Sequence, residues 1–225
     1  MTWLLQNLPM VEELLMTHLL LSLVPVVAGL VVALPLGRFA FRRPALGAPL
    51  LGGAGVLYAI PSLPLLILIP TVFGTPLRSA ATMTIALTVY AAALLVRTAA
   101  DAFASVPEPV RQSATALGYS SWARFWRVEL PLAGPVLLAG VRVVVVSTVS
   151  LVTIGAVIGI RSLGTLFTDG FQRGLPGEVL TGLVLTVALA LALDGLCAAL
   201  GRSAMPWTRP GRRRPPMKTQ TRTMP

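Results

Sequence analysis

Apolar residues run through this chain in long unbroken blocks, not in the alternating or striped patterns of a soluble fold. A helix crosses the hydrocarbon core of a bilayer in roughly 20 apolar residues. Five stretches reach that length: Leu14 to Leu36, Ala45 to Phe73, Ala80 to Ala100, Leu132 to Ile160 and Val179 to Leu200. They predict an all-α, polytopic membrane helix bundle with five core spans over residues 14 to 200. The second and fourth stretches exceed one crossing, so each is expected to tilt, break or carry a half-helix. The fourth is long enough to hide a sixth crossing. The second carries Tyr58-Ala59-Ile60-Pro61-Ser62-Leu63-Pro64, then Pro70. Proline removes a backbone donor and clashes one turn back, which predicts a kink or break near mid-membrane. The freed carbonyls must be buried in protein or line a wet cavity. Pro61, Ser62 and Pro64 are therefore candidates for lining a path, against the equal alternative of a packed kink. In that alternative, Gly155 and Gly159 of the fourth span are the next candidates.

Between the third and fourth spans lies the longest segment that is neither membrane-like nor low in complexity, Gln112 to Pro131. Ser105 and Glu108 have capping-box spacing, and Pro107 and Pro109 suit a first helical turn. A short helix is expected there, with Val110, Ala114 and Leu117 as its apolar stripe. Gly118 is placed to end it in the left-handed conformation, and Ser120 or Ser121 to cap a second helix running to Pro131. Trp122, Phe125 and Trp126 share one face of that second helix. Two amphipathic helices joined at a glycine make a knob suited to a groove on a partner protein. An interfacial element, with its aromatics at the lipid boundary and Arg124 and Arg127 on phosphates, explains the same pattern equally well.

Composition agrees with the spans: 225 residues are 55% hydrophobic and 12% charged, with a mean hydropathy of +0.81. The net charge of +10 does not indicate nucleic acid, because the basic residues sit in turns between spans and in one tail. No Lys or Arg precedes Arg38, while Glu12 and Glu13 do, so the first span is expected to be retained and not cleaved as a signal peptide. With the N-terminus outside, the inner side receives Arg38, Arg42, Arg43, Arg111, Arg124, Arg127 and the basic residues of the tail. The outer side receives only Arg78, Arg161 and Arg173. The positive-inside rule thus puts the knob and the C-terminus in the cytoplasm. Residues 201 to 225, rich in Pro and Arg, are expected to be a disordered basic tail. Its Arg212-Arg213-Arg214 cluster is either a topology anchor or a contact for anionic membrane lipid.

Ionisable residues inside spans are costly and therefore informative. Arg142 and Asp194 fall at similar depth and are expected to pair, mainly for neutralisation. Arg97 and Asp101, four apart, read as a local pair. His18, the sole histidine, is expected to bond a neighbouring helix and not a metal. Cys197 stands alone, so neither a disulfide nor a thiolate cluster is available.

Gly118, nine intervening residues and then Val128-Glu129-Leu130-Pro131 resemble the EAA loop of ABC-importer permeases. Gln112 and Ser113 stand where that motif has Glu and Ala, while Ala114, Gly118, Val128, Leu130 and Pro131 fit it. Ile60-Pro61-Ser62-Leu63, Gly140-Val141-Arg142 and Ile154 to Gly159 resemble the permeases of that group for osmoprotectants such as glycine betaine, choline and carnitine. Arg161 and Ser162 depart from the glycine pair frequent there. The resemblance covers about Leu14 to Leu200. It implies a cytoplasmic ABC ATPase subunit that receives the knob through Gln112, Ser113, Ala114, Leu117, Gly118, Trp122, Phe125, Val128, Leu130 and Pro131. It also implies a second permease subunit, identical or homologous, and an extracytoplasmic solute-binding protein.

The chain has one lysine, Lys218, and no P-loop, so it is not expected to bind ATP or to be an enzyme, and no cofactor is called for. A lone histidine rules out a His-Glu-x-x-His site and a Ser-His-Asp triad. An amino acid such as methionine is the alternative cargo. An ion-coupled carrier would need acidic residues at mid-membrane, where only Asp194 is available. A non-transporting scaffold would need no path at all.

Overall fold

Small residues decide how the first span packs. In the computed structural model, which describes residues 6 to 208, α1 (Leu8–Arg42) lies along α4 (Ala80–Ala104) over almost its whole length. Gly29 rests on Ala91 and Gly37 on Ala99, so closely that a methyl group added to Gly29 would sit 2.6 Å from the Ala91 Cβ. Such close backbone approach is how membrane helices gain van der Waals contact when lipid is as apolar as their side chains. Residue numbers rise together along the contact, so α1 and α4 are parallel.

That register has a topological consequence. Arg42 is level with Ala104 and His18 with Ala80, so the chain between α1 and α4 must climb about 36 Å back across the bundle. It does so through α2 (Pro44–Ala59) and α3 (Ser62–Phe73), two helices bent by 109° at Ile60 and Pro61. The expected break is present. Ile60 is extended, with φ −64° and ψ 124°, as a residue before proline prefers. Pro64 has no N–H to give the Ile60 carbonyl, and the Tyr90 hydroxyl of α4 donates to that oxygen instead.

Four described helices are long and apolar enough to span a membrane on their own, and the bent pair makes a fifth crossing. After α4 come α5 (Glu108–Ala116), α6 (Ser121–Arg124), a π turn at Phe125–Glu129 and α7 (Leu130–Ile154). The order ends with a 3₁₀ turn at Gly155–Ile158, α8 (Gly164–Gln172), α9 (Pro176–Ala204) and a 3₁₀ turn at Pro206–Thr208. α7 runs antiparallel to α1, as His18 meets Val149 and Arg38 meets Glu129. α9 runs antiparallel to α7, as Arg142 meets Asp194 and Gly201 meets Leu138.

Three expectations need correction. The sixth crossing is not formed, because α8 has nine residues and at 1.5 Å each reaches only about 14 Å. Pro131 does not end a helix: α6, the π turn, α7 and the 3₁₀ turn after it form one continuous run from Ser121 to Ile158, and Pro131 directly follows the π turn, a local irregularity of the ladder of the kind at which a residue without an N–H is accommodated. Residues 201 to 208 belong to the fold, since α9 continues to Ala204 and Met205 is buried. The remainder of the expected tail, including Arg212 to Arg214, lies outside the described residues.

Candidate functional site

The knob is built as one polar unit on the end of the bundle. α5 ends at Gly118, whose φ of +83° is a conformation that glycine alone adopts without a steric penalty. Tyr119 N–H then returns to the Ala114 carbonyl at 3.1 Å, and the Ser120 hydroxyl caps α6 by accepting from Ala123 N–H at 3.2 Å. The expected capping box is not formed. Ser105 donates to the Ala102 carbonyl inside α4, and Glu108 pairs with Arg111 at 2.6 Å. Ala114 is buried beneath α5, whereas Gln112, Ser113 and Leu117 face outward, Leu117 with 78% of its surface exposed.

Trp122, Phe125 and Trp126 do cluster on one face. Phe125 is the buried member, packed on Phe103 under the Arg38 guanidinium, which lies 4.0 Å from its ring centroid. Trp122 and Trp126 remain open. Leu130 packs behind Phe125 on the cluster of Phe103, Val106, Ala133 and Leu137, while Val128 and Pro131 are half-buried.

The residue that ties this unit to the bundle is Glu129, which the motif treats as variable. It is 4% exposed. Arg38 of α1 reaches one carboxylate oxygen at 3.3 Å and Arg124 of α6 the other at 2.9 Å. Arg38 also donates to the Ser121 carbonyl and Arg124 to the Thr115 hydroxyl of α5. One carboxylate thereby joins α1, α5, α6 and the start of α7. The π turn ending at Glu129 is the type of helical irregularity that recurs at functional sites. A signal was present in the sequence: Glu129 is the only acid between Glu108 and Asp169, and it stands at the mouth of a span among arginines.

Across the bundle, Pro61 and Ser62 line a cleft of about 500 Å³ with Tyr58, Tyr90 and the α7 residues Ser147 and Ser150. Pro64, Gly155 and Gly159 are not among its lining residues. Gly155 is buried against Met83, and Gly159, at φ +87°, closes the 3₁₀ turn beside Arg78. Arg142 and Asp194 form the expected pair, with parallel hydrogen bonds of 2.7 and 2.6 Å. The Arg97 and Asp101 pair is not formed among the described residues. Both side chains are exposed, and holding two long solvated side chains together gains little. His18 is fully buried, with Nε2 3.0 Å from the Val149 carbonyl oxygen. No group of three metal-ligating side chains occurs among the described residues.

Comparison with known proteins assigns the chain to a family. The osmoprotectant import permease protein OsmW of Salmonella typhimurium is 31% identical over 199 residues, covering 86% of this chain and 91% of the relative. The glycine betaine/carnitine/choline transport system permease protein OpuCB of Bacillus subtilis is 28% identical, covering 84% and 86%. Among solved structures, a chain of the MetNI methionine ABC transporter in inward-facing conformations superposes with a TM-score of 0.77 at 21% identity, covering 88% of this chain and 98% of that one. At that identity the likeness speaks for the fold. Residues 25–204 match the family model of the binding-protein-dependent transport system inner membrane component. The chain is a member of that family, a multi-pass permease subunit of ABC transporters.

Proposed function

We propose that this chain is the permease of an ATP-driven importer for osmoprotectants of the quaternary ammonium class, such as glycine betaine, choline, carnitine or proline betaine. The observation that carries the coupling part is the knob. Two short helices present Leu117 and Trp122 outward while Glu129 holds them rigidly to α1 and α7. A cytoplasmic ABC ATPase subunit takes this knob in a groove, and its closure on ATP pushes the spans. Two permease subunits enclose the path, with Pro61 and Ser62 on it, and an external binding protein delivers the solute. Nucleotide on one side and loaded binding protein on the other bias a rigid-body rocking between inward- and outward-open states. ATP is hydrolysed in the partner. The solute class is supported by the names of the relatives and by a cleft that carries hydroxyls and aromatic rings but no ionised side chain.

The test is uptake of labelled betaine, choline, carnitine and methionine by cells with and without the gene. Accumulation of the methylated ammonium solutes is expected; accumulation of methionine alone would reassign the cargo.

The permease domain of residues 14 to 200 then has its N-terminus outside and its C-terminus in the cytoplasm. In a Cys197→Ala background, Ser120→Cys in intact cells should resist a membrane-impermeant thiol reagent, while Leu77→Cys, in the exposed turn before α4, should react. Reaction at Ser120→Cys would reverse the orientation and remove the ATPase contact.

A further inference from the structure

The cleft at the α2 and α3 bend is lined by two chemically different sets of groups. Tyr58 of α2 and Tyr90 of α4 meet edge to face with ring centroids 6.0 Å apart, and Tyr58 is 49% exposed. Ser62 of α3 and Ser147 and Ser150 of α7 bring hydroxyls to the same lining. The Tyr90 hydroxyl is committed to the Ile60 carbonyl and Thr148 to the Val144 carbonyl of its own helix. The polar groups that belong to the scaffold are thus satisfied, and the three serine hydroxyls carry no hydrogen bond of their own within the described residues. No ionised side chain lines the cleft.

A quaternary ammonium group has no N–H to donate, so carbonyls and hydroxyls cannot recognise it as they recognise a primary amine. An aromatic ring attracts it electrostatically through its face. A carboxylate or hydroxyl at the other end of such a solute accepts from or donates to serine. We infer that Tyr58 and Tyr90, on one lining with Ser62, Ser147 and Ser150, form a second selectivity site within the permease itself, binding the methylated cation on the rings and the polar end on the serines. The inference rests on the quaternary ammonium reading above and assigns residues to it. With no counter-charge the site holds its solute weakly, as a station on a path must, because tight binding there would slow release.

The experiment uses the complete complex of permease, ATPase and binding protein in proteoliposomes, with loaded binding protein at saturation so that its own affinity does not limit uptake. The readout is the ratio of maximal uptake rates for glycine betaine and dimethylglycine, whose nitrogen keeps one N–H. Tyr58→Leu should lower that ratio about fivefold, and Tyr58→Phe should restore it by keeping the ring. Tyr58→Met, with a long flexible side chain, carries the same expectation should Tyr58→Leu not assemble. Equal loss for both solutes would make Tyr58 a packing residue and overturn the inference, as would an unchanged ratio with unchanged rates. Failure of the parental complex to move either solute would overturn the proposed function itself, a result distinct from both.

Discussion

Glu129→Leu should lower uptake several-fold while the protein still inserts at parental abundance. The carboxylate is 4% exposed and neutralises two guanidiniums that are themselves only 15% and 17% exposed. Removing it leaves two like charges beside each other in a poorly solvated corner. Breaking a buried pair costs about 3–5 kcal/mol when the remaining charge is fully buried. Here residual water at the arginines brings the cost below that range, to about 2–3 kcal/mol. That is small against a five-span bundle but large for a small knob whose arginine links to α1 and α5 run through this carboxylate. The knob should therefore loosen without unfolding the spans. Co-purification of the ATPase should fall several-fold, and uptake at fixed membrane abundance with it. Glu129→Gln keeps the shape and part of the hydrogen bonding, and should lie between. Arg38→Leu with Glu129→Leu removes one charge of each sign and should recover ATPase binding in part. Parental uptake by Glu129→Leu would show that the ion network has no part in coupling.

Ser62→Trp should block passage and leave assembly intact. Ser62 is half-buried at the start of α3, on the lining of the cleft. An indole there fills much of the space that a solute would use, and the open side of the cleft gives it room without disturbing the core. Uptake should fall at least tenfold while binding protein still stimulates the ATPase. Pro61→Ala is the complementary change. It restores an N–H where the chain now breaks by 109° and should change the rate of interconversion between states without filling the path. If Ser62→Trp transports at the parental rate, the bend is a packed kink and the path runs elsewhere.

Much of the fold was legible because each crossing is written locally. A run of about 20 apolar residues is enough to place a span, and prolines at 61 and 64 are enough to place a break. Gly118 was legible for the same reason, as a left-handed turn between two helical patterns has few alternatives to glycine. The fate of Pro131 was not, because the same residue ends a helix or is carried through it depending on whether a π turn precedes it. The failed pairing of Arg97 with Asp101 and the realised pairing of Arg142 with Asp194 make the same point. Four-residue spacing permits the first pair but exposure leaves it weak, whereas helix packing brings the second together across 52 positions.

By itself the sequence determined where the apolar spans lie, the break in the second and the glycine turn of the knob, since all three follow from short-range backbone chemistry and apolar length. Only the tertiary structure decided which helices pack side by side, that Glu129 is the anchor of the knob, and that Tyr58, Tyr90 and three serines line one cleft. Those relations join residues tens of positions apart, and they depend on the register of one helix against another. Here that register is set by Gly29 and Gly37 fitting against Ala91 and Ala99, a contact whose partner no local pattern in the chain identifies.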